Sequence, residues 1–147
     1  MNVTQVYDLF RALIDETDQT FLTDAQAESY LAQGYREFRQ SVYSVDPDIY
    51  NTQYKFTAAG KTFSLDGSLL GPGATNRMER FLRLGQINTI AGNEIQYYLE
   101  ACPNQEQLNR EQGEYCLSGR NIVFNSERTG FFRIEYVTAS TVDWTKH

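Results

Sequence analysis

The sequence predicts an α+β fold: an N-terminal helical hairpin packed against a mostly antiparallel β-sheet. Three observations carry this. Apolar residues recur at helical spacing up to about Val45. From Tyr54 onward they alternate with polar residues at period two. And a chain of 147 residues with 41% hydrophobic and 22% charged residues has the length for one domain and the composition to build a core. The expected division is a helical region over 1–46, a β-rich region over 50–139 and a C-terminal tail over 140–147.

The first helix is read from Val6, Leu9, Phe10 and Leu13, one stripe at i, i+3, i+4 and i+7. Thr4 is placed to cap it. It should stop near Asp15, because Asp15, Glu16 and Asp18 oppose the negative end of a helix and suit a connection. The second helix opens on a capping box, Thr23-Asp24-Ala25-Gln26, in which a hydroxyl and an amide three residues on satisfy each other's backbone N–H groups. Ala27, Leu31, Tyr35, Phe38 and Val42 continue it as a stripe, and Pro47 ends the helical region. Gly34 lies on that stripe. A glycine there costs about 1 kcal/mol relative to alanine, so close approach of the first helix is the expected compensation.

The strands follow. Tyr54 and Phe56, a turn at Gly60, then Phe63 and Leu65 predict a hairpin. Asp66 to Asn76, with Gly71-Pro72-Gly73, reads as a loop. Arg80 to Ile90 is a strand with Leu82 and Leu84 on one face, Phe81 and Arg83 on the other, and a bulge at Gly85. Glu94 to Glu100 suits either strand or helical turn; Asn104 to Gln112 suits a short surface helix or loop closed by Gly113. Tyr115 and Leu117 turn over Ser118–Asn121 into Ile122 and Phe124. A further turn at Ser126 to Gly130 leads to Phe132, Ile134 and Tyr136. Thr141 to His147 has no pattern beyond Trp144.

Charge and chemistry exclude much. The net charge is −6, from 13 basic and 19 acidic residues, which argues against a protein that grips phosphates. Residues 1–60 hold four basic and nine acidic groups (−5); residues 61–147 hold nine and ten (−1). The one histidine is His147, in a terminal position poorly suited to holding a proton shuttle or a metal. Cys102 and Cys116 fit no metal or Cys-x-x-Cys spacing; two reduced, partly buried thiols are expected, with a disulfide left open. Ala59-Gly60-Lys61-Thr62 ends like a phosphate-binding loop. But the position of its first glycine is Lys55, and a strand rather than a helix follows. Gly71-Pro72-Gly73 lacks the third glycine of a dinucleotide fingerprint. The acids around Asp15–Asp18 and Asp46–Asp48 lack the glycine and distal glutamate of a calcium loop. No apolar run reaches a membrane span, and the first ten residues do not read as a secretory signal. No nucleophile–base pair emerges, so the chain reads as a non-enzyme without cofactor or metal.

Two features invite an interface reading. Arg77, Arg80 and Arg83 recur every third residue; either they are solvated and salt-bridged or they meet another subunit, although strand alternation puts Arg80 and Arg83 on opposite faces. Trp144, beside Asp143, is the one tryptophan of 20 aromatic residues, most of which read as core. It either docks on a neighbouring chain or folds back on its own domain.

The order of these parts resembles the head–tail adaptor (connector, or head-completion) proteins of tailed bacteriophages. The resemblance rests on Leu22-Thr23-Asp24 leading into Tyr30-Leu31 and Tyr35-Arg36-Glu37-Phe38. It continues with Arg80-Phe81-Leu82-Arg83-Leu84, Tyr115-x-Leu117-x-Gly119-x-x-Ile122-x-Phe124 and Phe132-x-Ile134-x-Tyr136, and spans roughly Val3 to Thr138. It implies a homo-oligomeric ring, usually of twelve copies, in the virion neck between portal and tail or nozzle protein. The protein would be made in the host cytoplasm, with genomic DNA passing through the channel without sequence-specific binding. Family members often send a C-terminal helical segment to the portal; here the tail is short, and Trp144 stands in its place. Twelve copies at −6 would carry roughly −72, a field that repels sliding DNA rather than holding it. Two other readings are a different ring-forming neck or tail component, such as a tail terminator, and a monomeric carbohydrate-binding module built on the aromatics.

Overall fold

The computed structural model describes residues 1–14, 22–71, 74 and 76–145. The acidic connection at Asp15, Glu16 and Asp18, the Pro72-Gly73 pair and His147 lie outside them. The architecture is α+β: two N-terminal helices, then a five-stranded, antiparallel sheet. The chain divides into two units, residues 1–46 with 140–147, and residues 47–139.

In the helical unit, α1 runs Val3–Leu13 and α2 Asp24–Val45. The cap of α1 is Asn2, not Thr4: the Gln5 backbone N–H donates to Asn2 Oδ1 (2.9 Å) and the Asn2 N–H to Gln5 Oε1 (2.8 Å). The amide supplies the same reciprocal box as a hydroxyl. The Thr23–Gln26 box is formed as expected, at 3.0 and 3.2 Å. Between the helices, the Tyr7 hydroxyl donates to the Asp24 carbonyl (3.2 Å). Arg11 pairs with the Asp24 carboxylate (2.8 Å) and donates to the Leu22 carbonyl (3.0 Å). Tyr7 and Arg11 are therefore the buried residues of α1, and Leu9 and Leu13 of the expected stripe are exposed. On α2 the buried residues are Ala27, Arg39 and Tyr43, while Phe38 is exposed. Gly34 has no close approach to compensate it: nothing lies within 4 Å of where its Cβ would stand.

The second unit opens with a 3-10 turn, Pro47–Tyr50. Its strands are β1 (Asn51–Ser64), β2 (Met78–Ile87), β3 (Ile95–Tyr98), β4 (Tyr115–Ser118) and β5 (Asn121–Thr138), with a short helix α3 (Gln105–Asn109) before β4. The order is β1-β5-β2-β3, and β4 also pairs with β5, so β5 is the hub. The expected hairpin at Gly60 is instead one 14-residue strand, paired along nearly its whole length with β5. The expected turn at Ser126–Gly130 is likewise interior to β5. The two misreadings are one feature. Gly60 (φ +129°) and Gly130 (φ +124°) both lie in this paired stretch, Gly60 opposite Arg128 and Gly130 opposite Ala58. Between the Gly60–Arg128 and Thr62–Val123 pairs, Lys61 alone faces residues 124–127. An irregularity of this kind bends paired strands together, and glycine supplies the left-handed backbone it needs. The turn after β4 falls where expected, over Gly119 and Arg120.

The bend lets both halves of β5 line one core: Ile122 and Phe124, then Phe132, Ile134 and Tyr136. They meet Phe56 and Ala58 from β1, Leu84 from β2, Tyr115 from β4 and the flanking Leu65, Leu69 and Leu99. Phe132 sits 5.7 Å from Phe56 and 5.3 Å from Phe124, ring centre to ring centre. A satellite cluster of Cys102, Leu108, Cys116 and Val123 seats α3. Gly85 is not the bulge of β2; a Cβ there would stand 2.6 Å from Ile95 Cδ1 and 3.3 Å from the Tyr98 ring, so glycine admits β3. The irregularities lie between Met78 and Arg80, Phe81 and Arg83, and Gln86 and Ile87.

Candidate functional site

The β2 irregularity redraws the arginine strip. Arg80 pairs with Val137 and Arg83 with Glu135, both odd-numbered residues of β5, because Leu82 is the extra residue between Phe81 and Arg83. Arg80 and Arg83 therefore share a face, contrary to simple alternation, and Phe81 turns to the core with Leu84. Arg80 is exposed. Arg77, just ahead of β2, is exposed too, and its carbonyl accepts from the Ala139 N–H (2.8 Å).

Arg83 is committed to a structural network. Its guanidinium holds Glu135 with two hydrogen bonds (Nε to Oε2 and Nη2 to Oε1, each 3.1 Å) and reaches Asp48 at 2.7 Å. It also lies over the Tyr98 ring, 5.3 Å from its centre. Glu135 is 3% exposed and accepts a further bond from Asn51 (3.0 Å); Arg133 stands 3.6 Å away. Burial pushes the Glu135 carboxyl up, but hydrogen bonds from Arg83, Tyr98 and Asn51, with the Arg83 charge, outweigh it and hold the group at about 2. Glu135 first, and then Asp48, raise Arg83 above its ordinary value against the opposing effect of burial. Arg133 donates to the Asn93 carbonyl (2.7 Å) and Lys55 to the Asn93 side chain (2.6 Å). This face of the sheet thus carries an ion lattice in which Arg83 is already held by Glu135 and Asp48, which leaves it poorly placed to capture an external anion.

The tail is used locally. The Trp144 ring lies 5.4 Å from Tyr35 of α2, tilted by 59°, and Arg39 sits 5.9 Å over the same tyrosine. Of the two expected roles for Trp144, the structure contains the fold-back. Asp143 Oδ1 accepts from both the backbone N–H (2.9 Å) and hydroxyl (2.6 Å) of Thr145, fixing the turn that carries the indole.

Cys102 and Cys116 are free and buried. Burial first, then the neighbouring Cys102, pushes the Cys116 thiol up, which marks it as inert. A cleft of about 260 Å³ is bordered by Gln53, Tyr54, Ser68, Asn76 and Tyr136, but its hydroxyls are engaged: Tyr54 with Ser68 (3.2 Å) and Tyr136 with the Asn76 carbonyl (2.9 Å). Among the described residues, no three His, Cys, Asp or Glu side chains are grouped to hold a metal ion, and no helix is long and apolar enough to cross a membrane.

What sequence reasoning missed is on the helices. Leu9, Leu13, Tyr30, Phe38 and Val45 are exposed. The periodicity that finds an apolar face does not say whether the chain itself covers it. No family model, no curated protein and no solved structure matches this chain.

Proposed function

We propose that this chain is a structural component of a tailed-phage neck, a head–tail adaptor that forms a ring between portal and tail and lets DNA pass. The observation that carries the reading is a folded helical unit with large apolar side chains turned outward on both of its helices, the state of a protomer that completes its burial by assembly. The ordered resemblance over Val3 to Thr138 supplies the identity of the assembly. The charge supports the channel: residues 1–46 carry Arg11, Arg36 and Arg39 against eight acids, a net of −5, which repels a phosphate backbone rather than arresting it. Most aromatic side chains of the sheet unit are consumed by its core, which favours the adaptor over a sugar-binding platform. Portal and tail or nozzle proteins are the partners, and no cofactor is needed.

Native mass spectrometry of the purified chain, alone and mixed with portal rings, tests this. A discrete high-order species, or twelvefold loading onto a portal, is the expected result. A strict monomer that ignores every portal would overturn it.

A further inference from the structure

The two outward helix faces share a property beyond exposure. On α1, Val6, Leu9, Phe10 and Leu13 form the stripe, with Leu9 49% and Leu13 76% exposed. On α2, Tyr30, Gly34, Phe38, Ser41 and Val45 fall within roughly 80° of arc at about 100° per residue. Tyr30, Phe38 and Val45 are 59%, 58% and 88% exposed. Neither stripe contains a charged residue, although the helical unit is strongly acidic. In the middle of the α2 face, Gly34 opens to free space. Glycine is unfavourable within a helix, and its use is to let another backbone come close.

These observations select the occupant. A basic partner would be met by the acids of the unit, yet both faces exclude them. A partner of the same negative sign can approach only where no charge stands, and a second copy of this chain is such a partner. The area is of the right order. Tyr30 and Phe38 alone leave roughly 200–300 Å² uncovered, from about 150–250 Å² per aromatic side chain. With Leu9, Leu13, Ile14 and Val45 added, the two faces, one from each copy, supply somewhat under ~800 Å² in total, about half of the ~1,600 Å² of a standard interface, the apolar centre of a contact whose rim is polar. The two faces differ in shape, one a ridge of leucine and phenylalanine, the other a groove floored by Gly34 between Tyr30 and Phe38. We infer that copies associate head to tail, with the α1 face (Val6, Leu9, Phe10, Leu13) of one seated on the α2 face (Tyr30, Gly34, Phe38, Val45) of the next. Such a heterologous contact closes into a ring when its rotation permits. This rests on the ring reading above and assigns its contact.

The test is native mass spectrometry of wild type, Leu13→Lys and Phe38→Lys, with portal rings present and absent. Both positions are exposed, so the variants should keep the wild-type circular dichroism and melting temperature. Wild type should assemble, and each variant alone should assemble at least tenfold more weakly. An equimolar mixture of the two should yield a one-to-one pair and nothing larger, because one intact α1 face meets one intact α2 face. Gly34→Ala should raise the melting temperature of the unassembled chain while weakening assembly. Variants that assemble like wild type overturn the contact and leave the ring reading standing. Wild type that is monomeric both alone and with portals overturns both. Wild type that is monomeric alone, but loads onto portals and loses this in the variants, gives the faces to the portal and overturns the self-contact.

Discussion

Replacing Glu135 with glutamine tests whether the ion lattice on the sheet is an energetic unit. The carboxylate accepts two bonds from Arg83 and one from Asn51 while almost fully buried. A carboxyl held at about 2, against an ordinary 4.5, contributes about 3 kcal/mol of stability at neutral pH, at about 1.4 kcal/mol per tenfold. The folded value is the depressed one, so this stability is complete above pH 4.5 and drains away as pH falls toward 2. Glu135→Gln removes it and leaves Arg83 and Arg133 facing each other without their shared counter-charge. A loss of roughly 3–5 kcal/mol at pH 7 is therefore expected. The gap between wild type and variant should narrow steadily below pH 4.5, because only the wild type has the group to protonate. The assay is urea unfolding at one protein concentration and several pH values, followed by the near-ultraviolet dichroism of tyrosine. Trp144 fluorescence would report the helical unit instead. A loss under about 1 kcal/mol at pH 7, or a gap that stays constant down to pH 3, would refute the reasoning.

Three further outcomes are expected. Gly85→Ala should cost about 1–3 kcal/mol, seen as a lower urea midpoint, since its new methyl group collides with Ile95 and the Tyr98 ring and loosens β3. Thr23→Ala should remove the α2 cap and lower stability by about 1 kcal/mol, measured by thermal unfolding of the helical dichroism at 222 nm. Cys102 and Cys116 are both buried, and burial followed by the neighbouring Cys102 pushes the Cys116 thiol up. Neither thiol should therefore react with an aromatic disulfide reagent in the folded chain, and both should react once urea unfolds it; fast native-state labelling of Cys116 would count against the burial.

Much of the fold is written locally. The capping box at Thr23 and Gln26, the length of α2 and the tight turn at Gly119-Arg120 each depend on residues within a few positions of one another. What the sequence conceals is pairing. Gly60 and Gly130 carry the same local signal as turn glycines, and only their pairing with each other's strands, some 70 residues away in the chain, makes them a shared bend. Arg80 and Arg83 look opposed until Leu82 is known to be extra, and nothing in Phe81-Leu82-Arg83 announces that. The helices conceal something else. Val6, Leu9, Phe10 and Leu13 announce an apolar face, but Tyr7 and Arg11 secure the helix to α2 with polar contacts, leaving that face for another use. The candidate site residues were legible as types, not as roles: Arg83 is a brace and Trp144 a local anchor on Tyr35.

The position of β5 along the chain sets a schedule for biosynthesis. The strand that joins β1, β2 and β4 is the last of the sheet to be made, and its ladder with β1 ties residues up to 86 apart, as Asn51 is to Val137. Until the ribosome has released Thr138, β1 has no partner strand and β2 has only the short β3, whereas α1 and α2 can already coil. Pairing over such separations is slow. The nascent chain therefore spends its longest interval with a formed, outward-facing apolar helix pair and an unfinished sheet, the interval in which premature contact between neighbouring chains on one message is most damaging.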